Sequence, residues 1–184
     1  KDQIAAGGVV AFIGTKIGLH PNDMGTSKAD IVMAESFSNP ISLSQDSSEL
    51  NLDLGLWAYN QGSNAQNGVT ASVNIDFEGN TIHSFISNPV NFIAPSGVVV
   101  DTQYIDLGNF GRTSWQSGVY TITYSIYPNI ADDDSADNVV VSQFKVTSDN
   151  TYSKSRVDGS NQPIATSGKY LWEGVTFYDD FEVC

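Results

Sequence analysis

The sequence predicts an all-β fold, an immunoglobulin-like antiparallel β-sandwich of about seven strands, and three observations lead to this. First, apolar and polar residues alternate over Leu50–Tyr59 and Val69–Phe77, which places one set of side chains on a core and the other toward water. Second, turn-forming Asn, Gly and Pro recur at the spacing of about 8–12 residues typical of such sandwiches. Third, no stretch of comparable length repeats apolar residues with the period of a helix.

The strands are assigned in order along the chain. A first strand is predicted at Asp30–Phe37 and is ended by Asn39-Pro40, because proline cannot donate a ladder hydrogen bond. Glu78-Gly79-Asn80 is expected as a three-residue hairpin turn leading into Thr81–Ile86. The remaining predicted strands are Leu50–Tyr59, Val69–Phe77, Val98–Leu107, Gly118–Tyr127 and Asn138–Thr147. The predicted loops are an irregular crossing over Gly108–Gly118 and an acidic loop over Pro128–Asp137.

The same alternation predicts the core and the domain limits. The predicted core residues are Leu52, Leu54, Leu56, Val73, Ile75, Ile122, Tyr124, Phe144 and Val146. The sandwich is expected over residues 29–148. Residues 1–28 are expected to be an N-terminal extension or the end of a preceding unit, with a strand at Val9–Ile13. Residues 149–184 are expected to be a linker and the start of a further β segment at Tyr170–Tyr178.

Charge and composition exclude several classes of partner. The chain carries 21 acidic against 8 basic residues, for a net charge of −13. Such a surface repels phosphate backbones, so no nucleic-acid partner is expected, and anionic membranes are disfavoured for the same reason. No apolar run is long enough to cross a bilayer, so no membrane span is expected. The only cysteine is Cys184, which excludes an intrachain disulfide.

Aromatic residues give the first candidate ligand-binding site. If the leucines of Leu50–Tyr59 face the core, Trp57 and Tyr59 project together from the opposite face. Exposed neighbouring rings suit stacking against a sugar or contact with another protein. Alternatively, a neighbouring strand or domain covers them. Trp115 lies in a loop between glycines and either joins this pair or plugs one end of the sandwich.

The acidic loop gives a candidate metal site. Asp132, Asp134 and Asp137 lie on one short loop, and Ca²⁺ prefers clustered carboxylate and carbonyl oxygens. The spacing does not fit an EF-hand, because the glycine at the sixth position and the glutamate at the twelfth are missing. The alternative is a solvated polar loop that discourages edge aggregation. No cofactor other than Ca²⁺ is expected.

Residues suited to catalysis are sparse, so the chain is not expected to be an enzyme. The only histidines are His20, in a loop, and His83, on a hairpin strand, and neither has cysteine or carboxylate neighbours at a zinc-site spacing. Nucleophile-elbow, zinc-protease and phosphate-loop motifs are all missing. With 21 acidic residues, some carboxylate pair will always lie at a glycosidase-like distance, so such a pair has no diagnostic value.

The order of features from Ser48 to Arg156 resembles a known family. The features are Tyr59-Asn-Gln-Gly62, the Glu78-Gly79-Asn80 tip, a Gly-x-Tyr-x-Ile-x-Tyr strand from Gly118, and an acidic loop ending in Asp137-Asn138 before Phe144-x-Val-Thr147. This order resembles the CARDB-type (cell-adhesion-related) Ig-like domains of bacterial surface proteins. The tail Phe144–Arg156 is similar to the junction that follows such domains in exported proteins of Bacteroidota, many of them secreted by the type IX system.

The resemblance implies an extracellular or cell-surface location and a non-catalytic structural or adhesive role. The expected partners are neighbouring domains or copies of the same chain, arranged in tandem or as a filament. The alternative function is a carbohydrate-binding module that uses Trp57, Tyr59 and Trp115 on a glycan. Asp134-Ser135-Ala136 resembles the O-glycosylation signal of Bacteroidota, with Ser135 as the acceptor.

Overall fold

The computed structural model describes residues 19–27, 31–32, 37–96 and 99–153, which form an Ig-like β-sandwich, as the sequence predicts. The strands are β1 (Met24–Gly25), β2 (Ile31–Val32), β3 (Ser38–Pro40), β4 (Asn51–Asn60), β5 (Gln66–Phe77), β6 (Asn80–Ile86), β7 (Val90–Phe92), β8 (Asp101–Gly111), β9 (Gly118–Tyr127) and β10 (Val139–Thr147). Short 3-10 turns occur at Ile41–Leu43 and Ser135–Asp137.

The strands form two sheets. In the first sheet, β4 pairs with β8 along one edge and with β1 and β2 along the other. The second sheet has the order β3-β10-β9-β5-β6, and β7 also pairs with β5. Every pairing is antiparallel except that of β3 with β10, which is parallel. Each sheet therefore buries one face against the other, which is the arrangement that the alternating strands predict.

The core lies between these two inner faces. All nine predicted core residues are buried, with no more than 2% of any side chain exposed. Together with them, Ile105, Leu107, Trp115, Tyr120 and Ile126 form one continuous apolar cluster. The inward positions of β4, which are Leu52, Leu54, Leu56 and Ala58, are all buried, so the predicted register of this strand is confirmed.

The hairpin after β5 is tighter than expected. Phe77 pairs with Asn80, so only Glu78 and Gly79 form the turn. Both residues have positive φ angles, 50° and 77°. Two consecutive positive φ angles are typical of the primed turns whose twist matches that of antiparallel strands. The predicted three-residue turn is therefore wrong by one residue, because Asn80 begins the next strand.

The strand β8 also differs from expectation. It begins at Asp101 and continues to Gly111, through residues predicted to be loop. A bulge next to Gly108, which has a φ of 77°, shifts the register, so that Leu52 pairs with Phe110 and Gly55 with Asp106. The glycine interrupts the alternation without ending the strand, because a bulge keeps the pairing on both sides.

Two short strands lie where the sequence suggests a break. Ser38–Pro40 pairs with the end of β10, although Asn39-Pro40 was expected to end a strand. Proline is tolerated there because β3 lies at an edge of its sheet. Val90–Phe92 pairs with β5 just after Asn88-Pro89 and was not predicted as a strand. Of the predicted strand Asp30–Phe37, only Ile31–Val32 is described as β-structure, and residues 30 and 33–36 lie outside the described part.

The described chain enters and leaves the sandwich at opposite ends. Near its start, Pro21 and Asn22 bond to the β4–β5 and β9–β10 loops through Asn64 and Asp133. At its end, Ser153 bonds to Ser38, which lies beside the last residues of β10. The predicted segments Val9–Ile13 and Tyr170–Tyr178, and Cys184, lie outside the described residues. None of the helices described is long and apolar enough to cross a membrane.

Candidate contact surface

Trp57 and Tyr59 project from the outer face of β4, as the alternation predicts. The Trp57 side chain is 43% exposed, and Tyr59 is half-buried. The inward neighbours of Trp57, Leu56 and Ala58, are fully buried. The two rings therefore share the solvent side of the first sheet.

Sequence reasoning missed a third ring on this face. Tyr104 of β8 lies directly opposite Trp57 in the ladder, and its side chain is 41% exposed. The two ring centroids are 5.5 Å apart with an interplanar angle of 60°, an edge-to-face contact. Such cross-strand aromatic pairs stabilise a sheet and hold both rings in place. Alternation around the buried Ile105 could have shown that Tyr104 points outward, but its pairing with Trp57 depends on the β4–β8 register.

Glycines lie beneath two of the three rings. A Cβ atom placed on Gly55 would lie 2.1 Å from the Tyr104 hydroxyl oxygen, so this ring lies flat over the β4 backbone. A Cβ on Gly25 would lie 2.8 Å from a ring carbon of Tyr59. Neither glycine has a positive φ angle, so their role is space rather than backbone conformation. We call Trp57, Tyr59 and Tyr104 the aromatic patch.

Carboxylates lie next to the aromatic patch. Burial raises the pKa of the Tyr104 phenol, and the carboxylates of Asp106 and Asp53 raise it further. The phenol is therefore protonated at neutral pH and can donate a hydrogen bond. Asp106 accepts a bond from the Gly108 N–H at 2.8 Å, and Asp53 accepts one from the Asn109 amide. The patch thus combines apolar rings with hydrogen-bonding groups at its rim.

The structure separates Trp115 from the aromatic patch. Its side chain is only 3% exposed, and its indole N–H donates to the carbonyl of Leu50 at 3.2 Å. Its ring makes edge contacts with Tyr120 and Phe144 at centroid distances of 5.1 and 5.6 Å. The assignment of Trp115 to a ligand site is therefore corrected, since its side chain packs in the apolar core.

Three carboxylates of the acidic loop, those of Asp132, Asp133 and Asp134, accept hydrogen bonds from protein groups. Asp132 accepts from the Met24 N–H at 3.1 Å and from the Asn138 amide at 2.9 Å. Asp133 accepts from the Asn22 N–H at 2.9 Å. These bonds fix the β1 segment to the loop before β10. Asp134 caps the short 3-10 turn by accepting from the Ala136 N–H at 3.3 Å.

Asp137 and Asn138 each keep one buried side-chain oxygen without a hydrogen-bond partner. Burial raises the pKa of Asp137, and the carboxylates of Asp23, Asp134 and Asp132 raise it further. Within the part of the chain that the structure describes, no group of three or more His, Cys, Asp or Glu side chains is arranged to hold a metal ion. Calcium binding by Asp132, Asp134 and Asp137 therefore stays a prediction.

The remaining predicted residues lie apart from each other. Ser135 is exposed in the 3-10 turn. The carbonyl of His20 accepts a bond from the Ser63 N–H. His83 stacks on Phe110 with centroids 4.5 Å apart, and its Nε2 is buried without a hydrogen-bond partner. The structure brings neither histidine to a cluster of acidic residues.

The chain is similar in structure to a CARDB domain from Pyrococcus furiosus. The crystal structure of that domain in complex with di-metal ions matches with 12% identity over 72% of this chain and 95% of that one, at a TM-score of 0.46. The solution NMR structure of the domain matches with 13% identity over 71% and 100%, at a TM-score of 0.45. The metal ions belong to that crystal structure and are not transferred to this chain. No protein-family model and no curated protein sequence matches the chain.

Proposed function

We propose that this chain is a non-catalytic structural and adhesive module of an extracellular or cell-surface protein. In this proposal the aromatic patch makes the adhesive contact with another protein surface. The observation that carries the proposal is the edge-to-face pair of Trp57 and Tyr104, in which both side chains are more than 40% exposed on the outer face of the first sheet.

The geometry of the patch supports a contact role. The rings are large and have few rotatable bonds, and each is held by a ladder partner or an underlying glycine. Ordering them on contact therefore costs little side-chain entropy. Aromatic residues are enriched at protein interfaces because one end of the ring is apolar and the other can be polar.

Attachment of coated beads tests the adhesive role. Beads carrying the full chain are applied to intact bacterial cells and to a surface coated with the same chain. We expect Trp57→Ala and Tyr104→Ala each to lower bead retention about tenfold on the cells, on the coated surface, or on both. A tenfold change in a binding constant corresponds to about 1.4 kcal/mol. The matched control is Ile86→Ala, which removes a more exposed apolar side chain (63%) from the other sheet. Equal retention by Trp57→Ala and the unmodified chain would contradict the proposal.

Carbohydrate binding by the same patch is the second candidate. The observation that favours it is the position of Asp53 and Asp106 close enough to Tyr104 to raise its pKa. Sugars bind proteins by stacking on a ring while their hydroxyl groups donate to nearby acceptors. Binding to insoluble cellulose, chitin or xylan that disappears in Trp57→Ala, with no loss of protein-surface retention, would favour this candidate over the first.

Several parts of the proposal stay predictions. Secretion by a type IX system, tandem or filament assembly, calcium binding by Asp132, Asp134 and Asp137, and glycosylation at Ser135 are not tested by the geometry. Mass spectrometry of the protein purified from its native host tests the last of these. A hexose-containing peptide that spans Ser135 and is lost in Ser135→Ala is expected, whereas an unmodified peptide would contradict it.

A further inference from the structure

Carboxylates and aromatic rings surround one backbone position on the outer face of the first sheet. Gly55 of β4 pairs with Asp106 of β8, and the Tyr104 phenol extends over this glycine. Asp53 and Trp57 are the outward residues on either side of Gly55 along β4. Alternate residues of a strand lie about 7 Å apart, so both side chains flank the phenol that covers Gly55. We call the carboxylates of Asp53 and Asp106 the acidic rim.

The acidic rim lies close to the Tyr104 phenol. Burial raises the pKa of this phenol, and the charges of Asp106 and Asp53 raise it further, so both carboxylates lie near its hydroxyl oxygen. One oxygen of each carboxylate accepts a hydrogen bond, from the Gly108 N–H or from the Asn109 side chain. Each carboxylate has a second oxygen, and both aspartates are exposed. The acidic rim can therefore accept hydrogen bonds from a partner.

The described strands of the first sheet carry negative charge only. These strands, β1, β2, β4 and β8, contain three aspartates and neither lysine nor arginine. The whole chain has a net charge of −13. A group that approaches the outer face of this sheet therefore meets a negative potential, which acts over about 8 Å at physiological salt. This potential favours a cationic partner over a neutral or anionic one.

The rings next to the acidic rim also suit a cation. A cation is attracted to the face of an aromatic ring, most strongly to that of tryptophan, because the face carries the negative part of the ring's quadrupole. Trp57 and Tyr104 are 43% and 41% exposed, so part of each ring is available to a ligand. Their edge-to-face contact holds both rings in place beside the carboxylates. Rings and carboxylates therefore attract the same class of group.

We propose that the acidic rim and the exposed rings of Trp57 and Tyr104 bind arginine side chains on the surface of a partner protein. A guanidinium group is planar, stacks on aromatic rings and donates paired hydrogen bonds to a carboxylate. It is also more weakly hydrated than an ammonium group, which favours arginine over lysine at a ring. The inference deepens the proposed function and rests on it, because it names the chemistry of the protein surface that the aromatic patch contacts.

Peptide binding to the full chain tests the cation. The probes are fluorescent Gly-Ser peptides that carry arginine, lysine or citrulline at the same alternating positions, since citrulline keeps the shape of arginine without its charge. We expect fluorescence anisotropy to show that the arginine peptide binds about tenfold more tightly than the citrulline peptide, and more tightly than the lysine peptide. Equal affinity for the arginine and citrulline peptides would overturn the inference. Equal affinity for the arginine and lysine peptides would overturn arginine as the occupant.

Two charge-matched variants separate the acidic rim from the net charge of the chain. The rim variant combines Asp53→Asn with Asp106→Asn, and each asparagine keeps an oxygen that can accept the existing hydrogen bond. The control variant combines Asp76→Asn with Glu78→Gln, which removes two charges from β5 and its hairpin turn in the second sheet. We expect the rim variant to bind the arginine peptide about tenfold more weakly and the control variant less than about twofold more weakly. Equal weakening would show that net charge alone attracts the peptide, which would refute the site.

The bead assay distinguishes failure of this inference from failure of the proposed function. If arginine side chains make the contact, bead retention should fall in both Trp57→Ala and the rim variant. Retention that falls in Trp57→Ala but not in the rim variant would overturn the inference and leave the adhesive role in place. Polysaccharide binding that requires Trp57, together with no binding of the arginine peptide, would also overturn it and would assign the aromatic patch to sugars.

Discussion

Tyr104 lies over Gly55, so closely that a Cβ atom on Gly55 would be 2.1 Å from the phenol oxygen and 2.5 Å from the ring carbon that carries it. The pair joins adjacent strands, and it places the Tyr104 ring against Trp57. Because Gly55 of β4 has no side chain, the exposed ring of Tyr104 on β8 can lie over it.

Replacement of Gly55 by alanine should displace the Tyr104 ring. We expect a loss of about 1–2 kcal/mol in the free energy of unfolding, at the lower end for overpacking because the ring can move into solvent. In a Tyr104→Ala background the same replacement should cost much less. Urea unfolding of the two single variants and the double variant measures this coupling. If the losses in unfolding free energy of the two single variants add up to that of the double variant, the Tyr104 ring and Gly55 do not interact.

Alanine substitution of Trp57 and of Trp115 should lower the free energy of unfolding by very different amounts. Trp115→Ala removes a buried ring and its bond to Leu50, so we expect a loss of about 3–5 kcal/mol. Trp57→Ala should cost about 1 kcal/mol, because its ring is 43% exposed and contributes mainly its contact with Tyr104. Denaturant unfolding compares them directly. A larger loss for Trp57→Ala would mean that the aromatic patch serves stability rather than contact.

The predicted core can be tested at one position in each sheet. Leu54 of β4 and Ile122 of β9 are 1% and 0% exposed. Alanine at either position should cost about 2–5 kcal/mol through lost burial and the remaining cavity. The exposed Val119→Ala on β9 serves as the control and should cost less than about 1 kcal/mol. Thermal or urea unfolding gives the comparison, and a similar loss in all three variants would contradict the assigned register.

His83 should make the fold less stable in mild acid. Burial lowers the pKa of His83, so the unfolded chain binds its proton more readily than the folded chain does. The contribution of neutral His83 to the free energy of unfolding is therefore complete above about pH 6.5, the pKa of a histidine in the unfolded chain. This contribution is lost as the pH falls below that value. We expect His83→Phe, which keeps a ring on Phe110, to lose less stability between pH 7.5 and 5.5 than the unmodified chain. Equal losses in urea unfolding would contradict this.

Calcium provides a test of the acidic loop. Because the carboxylates of Asp132 and Asp134 already accept backbone N–H groups, binding would require the loop to rearrange. If the predicted site exists, the melting temperature measured with calcium should be higher than that measured with a chelator. Asp134→Asn should remove this difference. Equal melting temperatures with calcium and with chelator would contradict the calcium prediction.

The sequence by itself determined the fold class, the core of β4, β5, β9 and β10, and the outward direction of Trp57 and Tyr59. Period-two alternation contains this information, because consecutive side chains on a strand point to opposite faces. The sequence misplaced features that depend on pairing, such as the exact hairpin after Phe77 and the continuation of β8 past Gly108. Local composition cannot distinguish a bulge from a loop, since both use glycine.

Only the tertiary structure decided which residues meet across strands. It moved Trp115 from a candidate ligand site into the core and put Tyr104 beside Trp57, because these contacts depend on register and on the packing of two sheets. It also made Asp133 an acceptor for the Asn22 N–H just before β1 and Asp132 an acceptor for the Met24 N–H within β1. The sequence specifies which way each side chain points, whereas the neighbour it meets depends on residues distant in the chain.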